Sequence, residues 1–135
     1  MLAPAIAALV ASAGPILAQS SGPQGAGDAA AGAEVFQKCA ACHKVGPDAK
    51  SAIGPVLNGV VGRASASLVD YNYSRAMTNA QLTWDAATLT RYLKAPAQLV
   101  PGTKMTMTGL TADKEIADVI AYLASFDADG EKVGK

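Results

Sequence analysis

The stretch KCAACHKVG, residues 38 to 46, holds both cysteines and the only histidine of the 135-residue chain. Four chemistries use such a cluster: a metal clip, a redox dithiol, a structural disulfide and the covalent anchoring of a cofactor. A structural zinc site takes four ligands, usually Cys or His in two pairs, and this chain carries no second pair. A thioredoxin-like dithiol belongs at the end of a strand within an α/β pattern. Here the cysteines end a helical pattern instead. A disulfide between Cys39 and Cys42 would close a very small loop and stabilise little.

Cys-x-x-Cys-His is also the signature of covalent haem attachment. Two cysteines three apart share one face of a helical turn. Cys39 and Cys42 can therefore form thioethers to two vinyl groups on one porphyrin edge, and His43 then meets the iron from one side. Composition agrees with a bound staple. Aromatic residues make up only 5% of the chain, with 13 glycines and 7 prolines. A domain of about 100 residues with so few aromatics has a thin core, which a large apolar cofactor would complete. The 11 basic and 11 acidic residues balance, so no strong field points to nucleic acid or to an anionic membrane.

Outward from the motif, a first helix is predicted over residues 29–41, with Asp28 as N-cap and Gly32, Val35, Phe36 and Cys39 on one stripe. Residues 43–74 are punctuated by Gly46-Pro47, Gly54-Pro55, Gly59 and Gly62 and keep no period, so they read as a long loop. Loops beyond about 15 residues are uncommon in compact domains, and wrapping a cofactor would account for this one. A short helix follows Trp84, capped by Asp85, with Leu89, Tyr92 and Leu93 on one face, and ends ahead of Pro96. Residues 95–109 return to loop around Pro101-Gly102. The last helix is capped by Thr111, with Asp113 and Glu115 in its first turn and a stripe of Ile116, Val119, Ile120, Leu123 and Phe126. No segment alternates as a strand. The expected fold is all-α, with three main helices and long loops.

The N-terminus is a separate matter. The first charged residue is Asp28, and residues 2–18 form an apolar run broken by Pro4, Gly14 and Pro15. The run is slightly shorter than the about 20 residues of a spanning helix. It fits a secretory signal cleaved after Ala18, or a retained membrane anchor; an apolar structural arm is the third alternative. The first two place the folded part outside the cytoplasm. The expected organisation is residues 1–18 as signal peptide or anchor, 19–27 as flexible linker, 28–127 as the domain and 128–135 as a C-terminal tail.

With one histidine, a second imidazole on iron is excluded. The candidates for the sixth position are Met1, Met77, Met105, Met107, a lysine, or an open or water-filled site. A thioether is a soft ligand that favours ferrous iron. Met105 and Met107 lie in a distant loop, where a chain wrapping a haem would meet its other face. Two residues apart in extended chain point opposite ways, and spacing alone does not choose between them.

GDAAAGAEVFQKCAACHKVG, GPVLNGVVGR, YNYS, LTWDAATLTRYLKAP, VPGTKM and IADVIAYLASF follow one another as in class I c-type cytochromes. The chain most resembles the bacterial cytochrome c2 and mitochondrial cytochrome c group, over residues 27–126. The resemblance implies one haem c per chain, attached through Cys39 and Cys42, with His43 and Met105 as axial ligands and Met107 as a neighbour. It implies that the Pro55 carbonyl accepts from His43, and that Tyr92 and Thr103 lie near the methionine sulfur. Tyr73 and Trp84 would bond the haem propionates, whose charge Arg63 would offset. Gly32 and Phe36 would pack against Tyr122 and Leu123 where the first and last helices cross.

Two features depart from the family. Met77 stands where the family often has asparagine, and basic residues are sparse, with Lys38, Lys44 and Lys104 flanking the expected haem edge. The implied protein is a monomeric, periplasmic one-electron carrier, either free or tethered by residues 1–18. Its donor would be a quinol–cytochrome c oxidoreductase, and its acceptor a terminal oxidase or a photosynthetic reaction centre. The alternative is a haem enzyme of peroxidase type, or a gas sensor, with an open sixth position.

Overall fold

A computed structural model describes residues 27–133. The expected signal or anchor, all of the linker but Gly27, and the last two residues lie outside the described residues. Five helices follow in order: α1 (Ala29–Phe36), α2 (Arg75–Ala80), α3 (Ala86–Lys94), α4 (Pro96–Leu99) and α5 (Asp113–Ala124). Extended pairing among the described residues is limited to isolated bridges, Ala64 with Thr83 and Phe126 with Lys132. No described helix is long and apolar enough to cross a membrane.

The three expected helices are α1, α3 and α5. Asp28 caps α1, its Oδ1 accepting from the backbone N–H of Ala30 at 2.8 Å and of Ala31 at 3.3 Å. The helix ends earlier than expected, at Phe36 rather than residue 41. From there the chain tightens into i→i−3 bonds, Lys38 N–H to Val35 O at 3.0 Å and Cys39 N–H to Phe36 O at 2.8 Å, the geometry of a 3₁₀ turn. The Cys42 carbonyl then accepts from Gly54 N–H at 2.8 Å.

The start of α5 also differs from expectation. Ala112 occupies the N-cap position with no side-chain cap bond, so Thr111 lies outside the helix. Asp113 and Glu115 in the first turn complement the helix dipole instead. Phe126 is buried, but two residues beyond the helix end. α3 begins as expected, with Asp85 Oδ1 accepting from Thr88 N–H at 2.8 Å. Two short helices are additions to the expected set. α2 is capped by Ser74, whose Oγ accepts from Met77 N–H at 3.0 Å, and stops at Gln81 with φ +50°. α4 is one turn with Pro96 at its first position, where a missing N–H costs nothing.

α1 crosses α5 at Gly32. A Cβ there would fall on the Asp118 carbonyl oxygen and within 2.8 Å of Tyr122 Cβ, so only hydrogen fits. The Phe36 and Tyr122 rings meet beside it at 5.4 Å. Ile116 and Val119 on the inner side of α5 are each 1% exposed. Residues 43–74 contain no helix and run from α1 to α2 around the remaining side. The core residues of α1, α3 and α5 do not close on one another completely, and the space between them is the site.

Candidate functional site

Between the helices and the 43–74 loop lies a cavity of about 340 Å³. Cys39, Cys42 and His43 line one part of it, delivered by the turn after α1. Met105 and Thr103 come from the loop after α4, Tyr92 from α3, Trp84 from the residues before it, and Pro55, Arg63 and Tyr73 from the long loop. Every candidate cofactor residue of the sequence thus meets at one cavity. Apolar side chains of Leu57, Val60, Met77, Leu89 and Leu93 fill the wall between them.

His43 is held by the Pro55 carbonyl, which accepts from Nδ1 at 2.8 Å. A carbonyl only accepts, so Nδ1 carries the proton and Nε2 presents a lone pair. Burial pushes the imidazole below its ordinary pKa; the Pro55 bond opposes that shift and the Arg63 charge adds to it. The imidazole is therefore neutral at pH 7, the form that binds metal. The ring approaches the backbone closely. A Cβ on Gly54 would lie 2.5 Å from His43 Cε1 and 2.7 Å from Nδ1. Cys39 and Cys42 are free, half-buried thiols, and burial raises the Cys39 pKa against the lowering effect of Lys38.

On the methionine side, the Tyr92 hydroxyl shares a 2.7 Å hydrogen bond with Thr103 Oγ1, which also accepts from Met105 N–H at 3.3 Å. Burial raises the Tyr92 pKa, with the Thr103 bond opposing, so its phenol keeps its proton. Met105 and Met107 both line the cavity. Arg63 donates through Nη1 to the carbonyls of Asn58 at 2.9 Å and Val56 at 3.3 Å. Its Nε is the one buried side-chain nitrogen or oxygen without a partner among the described residues. The Tyr73 hydroxyl accepts a long bond from Leu68 N–H at 3.4 Å, leaving it free to donate.

These residues fit a haem c. Two thiols and an imidazole stand in one turn, a thioether from a distant loop lines the same cavity, and an orphaned guanidinium N–H and a phenol are available to carboxylates. The apolar wall suits a macrocycle. Two contributors escaped the sequence reading. Tyr71 lines the cavity, donates to the Ile53 carbonyl at 2.9 Å and packs on Tyr73 at 4.9 Å; its alternation with Tyr73 was the available signal. Asn58 is buried and holds Gly46 through both ends of its amide, with no local pattern to reveal it. Lys38 and Lys104 line the cavity, whereas Lys44 does not, its Nζ donating to Ala40 O at 2.7 Å.

Comparison with known proteins agrees with the geometry. The family model for cytochrome c matches residues 29–127. The chain is 51% identical over 107 residues to cytochrome c2 of Rhodoblastus acidophilus, covering 79% of this chain and 100% of that protein. It is 43% identical over 117 residues to cytochrome c2 of Blastochloris viridis, covering 87% and 92%. Among solved structures, cytochrome cH from Methylobacterium extorquens superposes with a TM-score of 0.68 at 45% identity, over 72% of this chain and 97% of that one. With the fold, the Cys39-x-x-Cys42-His43 turn and these relatives together, the chain belongs to the cytochrome c family and is a class I c-type cytochrome.

Proposed function

We propose that the protein is a one-electron carrier holding one haem c through Cys39 and Cys42, with His43 and Met105 as axial ligands. The observation that carries this reading is that the thiols, the imidazole and a thioether from a distant loop line one cavity together. When bound, the haem iron supplies reversible Fe(II)/Fe(III) chemistry.

The residues supply the rest. Pro55 fixes the His43 ring and raises the basicity of its free nitrogen. Thr103, through its bonds to Tyr92 and to the Met105 backbone, holds the thioether loop in place. Leu89, Leu93 and Val119 give the cavity an apolar wall, and a dry, apolar setting raises a reduction potential. Arg63, Tyr73 and Trp84 provide the donors for carboxylates at one side. Two ligands fixed in this way leave little rearrangement to accompany each electron.

With Met105 as the second axial ligand, the open position that a peroxidase or a gas sensor keeps would be filled. The partners are membrane redox complexes: a quinol–cytochrome c oxidoreductase as donor and a terminal oxidase or photosynthetic reaction centre as acceptor. The protein acts as a monomer in the periplasm, after export by or tethered through residues 1–18. The choice of methionine is tested by paired variants of the haem-loaded protein. Met105→Ala loses the weak red sulfur-to-iron absorption band and lowers the potential, while Met107→Ala keeps the band. The reverse pattern would assign the ligand to Met107.

A further inference from the structure

The chain beyond α5 folds back on the molecule. Asp127 closes residues 127–133 into a loop: its Oδ1 accepts from Asp129 N–H at 3.0 Å and Glu131 N–H at 2.9 Å. Val133 N–H returns to the Ser125 carbonyl at 2.9 Å. Lys132 Nζ donates to Ser125 Oγ at 3.0 Å and lies 3.9 Å from the centre of the Phe126 ring. The loop seats itself at Gly130, which is buried with φ +82°. A Cβ at Gly130 would fall on the Gly46 carbonyl oxygen and lie 2.6 Å from Asn58 Nδ2. One residue further along the long loop, a Cβ at Gly59 would lie 2.9 Å from Ala128 Cα. The loop backbone therefore rests directly on Gly46, Asn58 and Gly59.

Those residues belong to the two arms that hold His43. Asn58 is 7% exposed. Its Nδ2 donates to Gly46 O at 2.8 Å and its Oδ1 accepts from Gly46 N–H at 2.9 Å. The same arms are joined by Leu57 N–H to Lys44 O at 3.0 Å and by Gly54 N–H to Cys42 O at 2.8 Å. Between these rungs lies the bond from His43 Nδ1 to the Pro55 carbonyl. Asn58 contributes the one side-chain rung among them, and the Gly130 turn covers it. A buried amide bonded at both ends is costly to unpair, so a covered Asn58 holds the arms at fixed separation.

We propose that the 127–133 loop and Asn58 form a brace that keeps the Pro55 carbonyl on His43. Asn58 is then a positioning residue, acting on the imidazole from outside the cavity. The proposal rests on the reading of His43 as an axial ligand. It predicts that loosening the loop frees the His43 Nδ1 proton without opening the helical core.

The test is hydrogen exchange by NMR on the ferrous, haem-loaded full chain, comparing wild type with Asn58→Ala and Asp127→Ala. Among the described residues the Asp127 carboxylate accepts from its own loop alone, so that variant decides alone if Asn58→Ala does not fold. In each folded variant the His43 Nδ1 proton exchanges about tenfold faster, the scale of one lost hydrogen bond. Oxidised to the ferric state each variant keeps the red band, and in the ferrous state the amides of α1 and α5 exchange as in wild type. Unchanged His43 exchange, or equal acceleration in α1 and α5, overturns the brace. A ferric wild type that lacks the red band overturns the His43/Met105 reading and the brace with it; one that has the band confines any failure to the brace.

Discussion

At position 54 any side chain would strike the histidine, since a Cβ lies 2.5 Å from His43 Cε1. Gly54 is what lets the Pro55 carbonyl reach Nδ1. Gly54→Ala should therefore destabilise the haem-loaded protein by about 1–3 kcal/mol, the usual cost of forcing extra volume into a packed site. Guanidinium unfolding followed by the haem spectrum measures it, and an unchanged midpoint would mean that the ring has room to move. The thiols and the imidazole were legible because they sit in one pentapeptide. The methionine was not settled by spacing, because Met105 and Met107 both reach the cavity wall; resemblance to the family made that choice. Asn58 stayed hidden because its partner, Gly46, is twelve residues away in irregular chain.

At the scale of elements, α1 was readable from its cap and stripe and α5 from its stripe, since a stripe reports burial along a single helix. Helices of six and four residues, α2 and α4, are too short to show a period. The end of α1 is set by the i→i−3 turn through Lys38 and Cys39, which the helical stripe does not announce. Asp118 illustrates the same limit. It lies on the buried side of α5, at 4% exposure, because its Oδ1 accepts from Asp28 N–H at 2.8 Å and its Oδ2 from Lys114 Nζ at 2.5 Å. The hydrogen bond from Lys114, then that from Asp28, holds its carboxyl below the ordinary aspartate pKa. A depressed carboxylate contributes stability above its unfolded-state pKa and loses it as pH falls through the folded value. Asp118→Asn should be less stable than wild type at pH 7, and the gap should narrow steadily as urea unfolding is repeated toward acid pH. A constant gap would mean that the carboxylate charge contributes nothing to the crossing.

Across the whole molecule, few aromatics and a long loop leave a core that surrounds a cavity instead of filling it. The sequence announced the loop but not its path, since chain without a period carries no signal of direction. Charge follows the same economy. Lys38 at the cavity is paired to Glu115 at 2.8 Å, and Lys104 Nζ donates to Asn72 O at 2.5 Å. The charge of Lys38 is thus offset by a carboxylate, whereas Lys104, bonded to a neutral carbonyl, keeps its charge at the cavity edge for steering a partner. The central claim is that His43 and Met105 both hold the iron of one haem, and an optical spectrum of the purified ferric protein at neutral pH tests it most directly. A low-spin spectrum with the weak red sulfur-to-iron band is predicted; a high-spin spectrum without that band would contradict it.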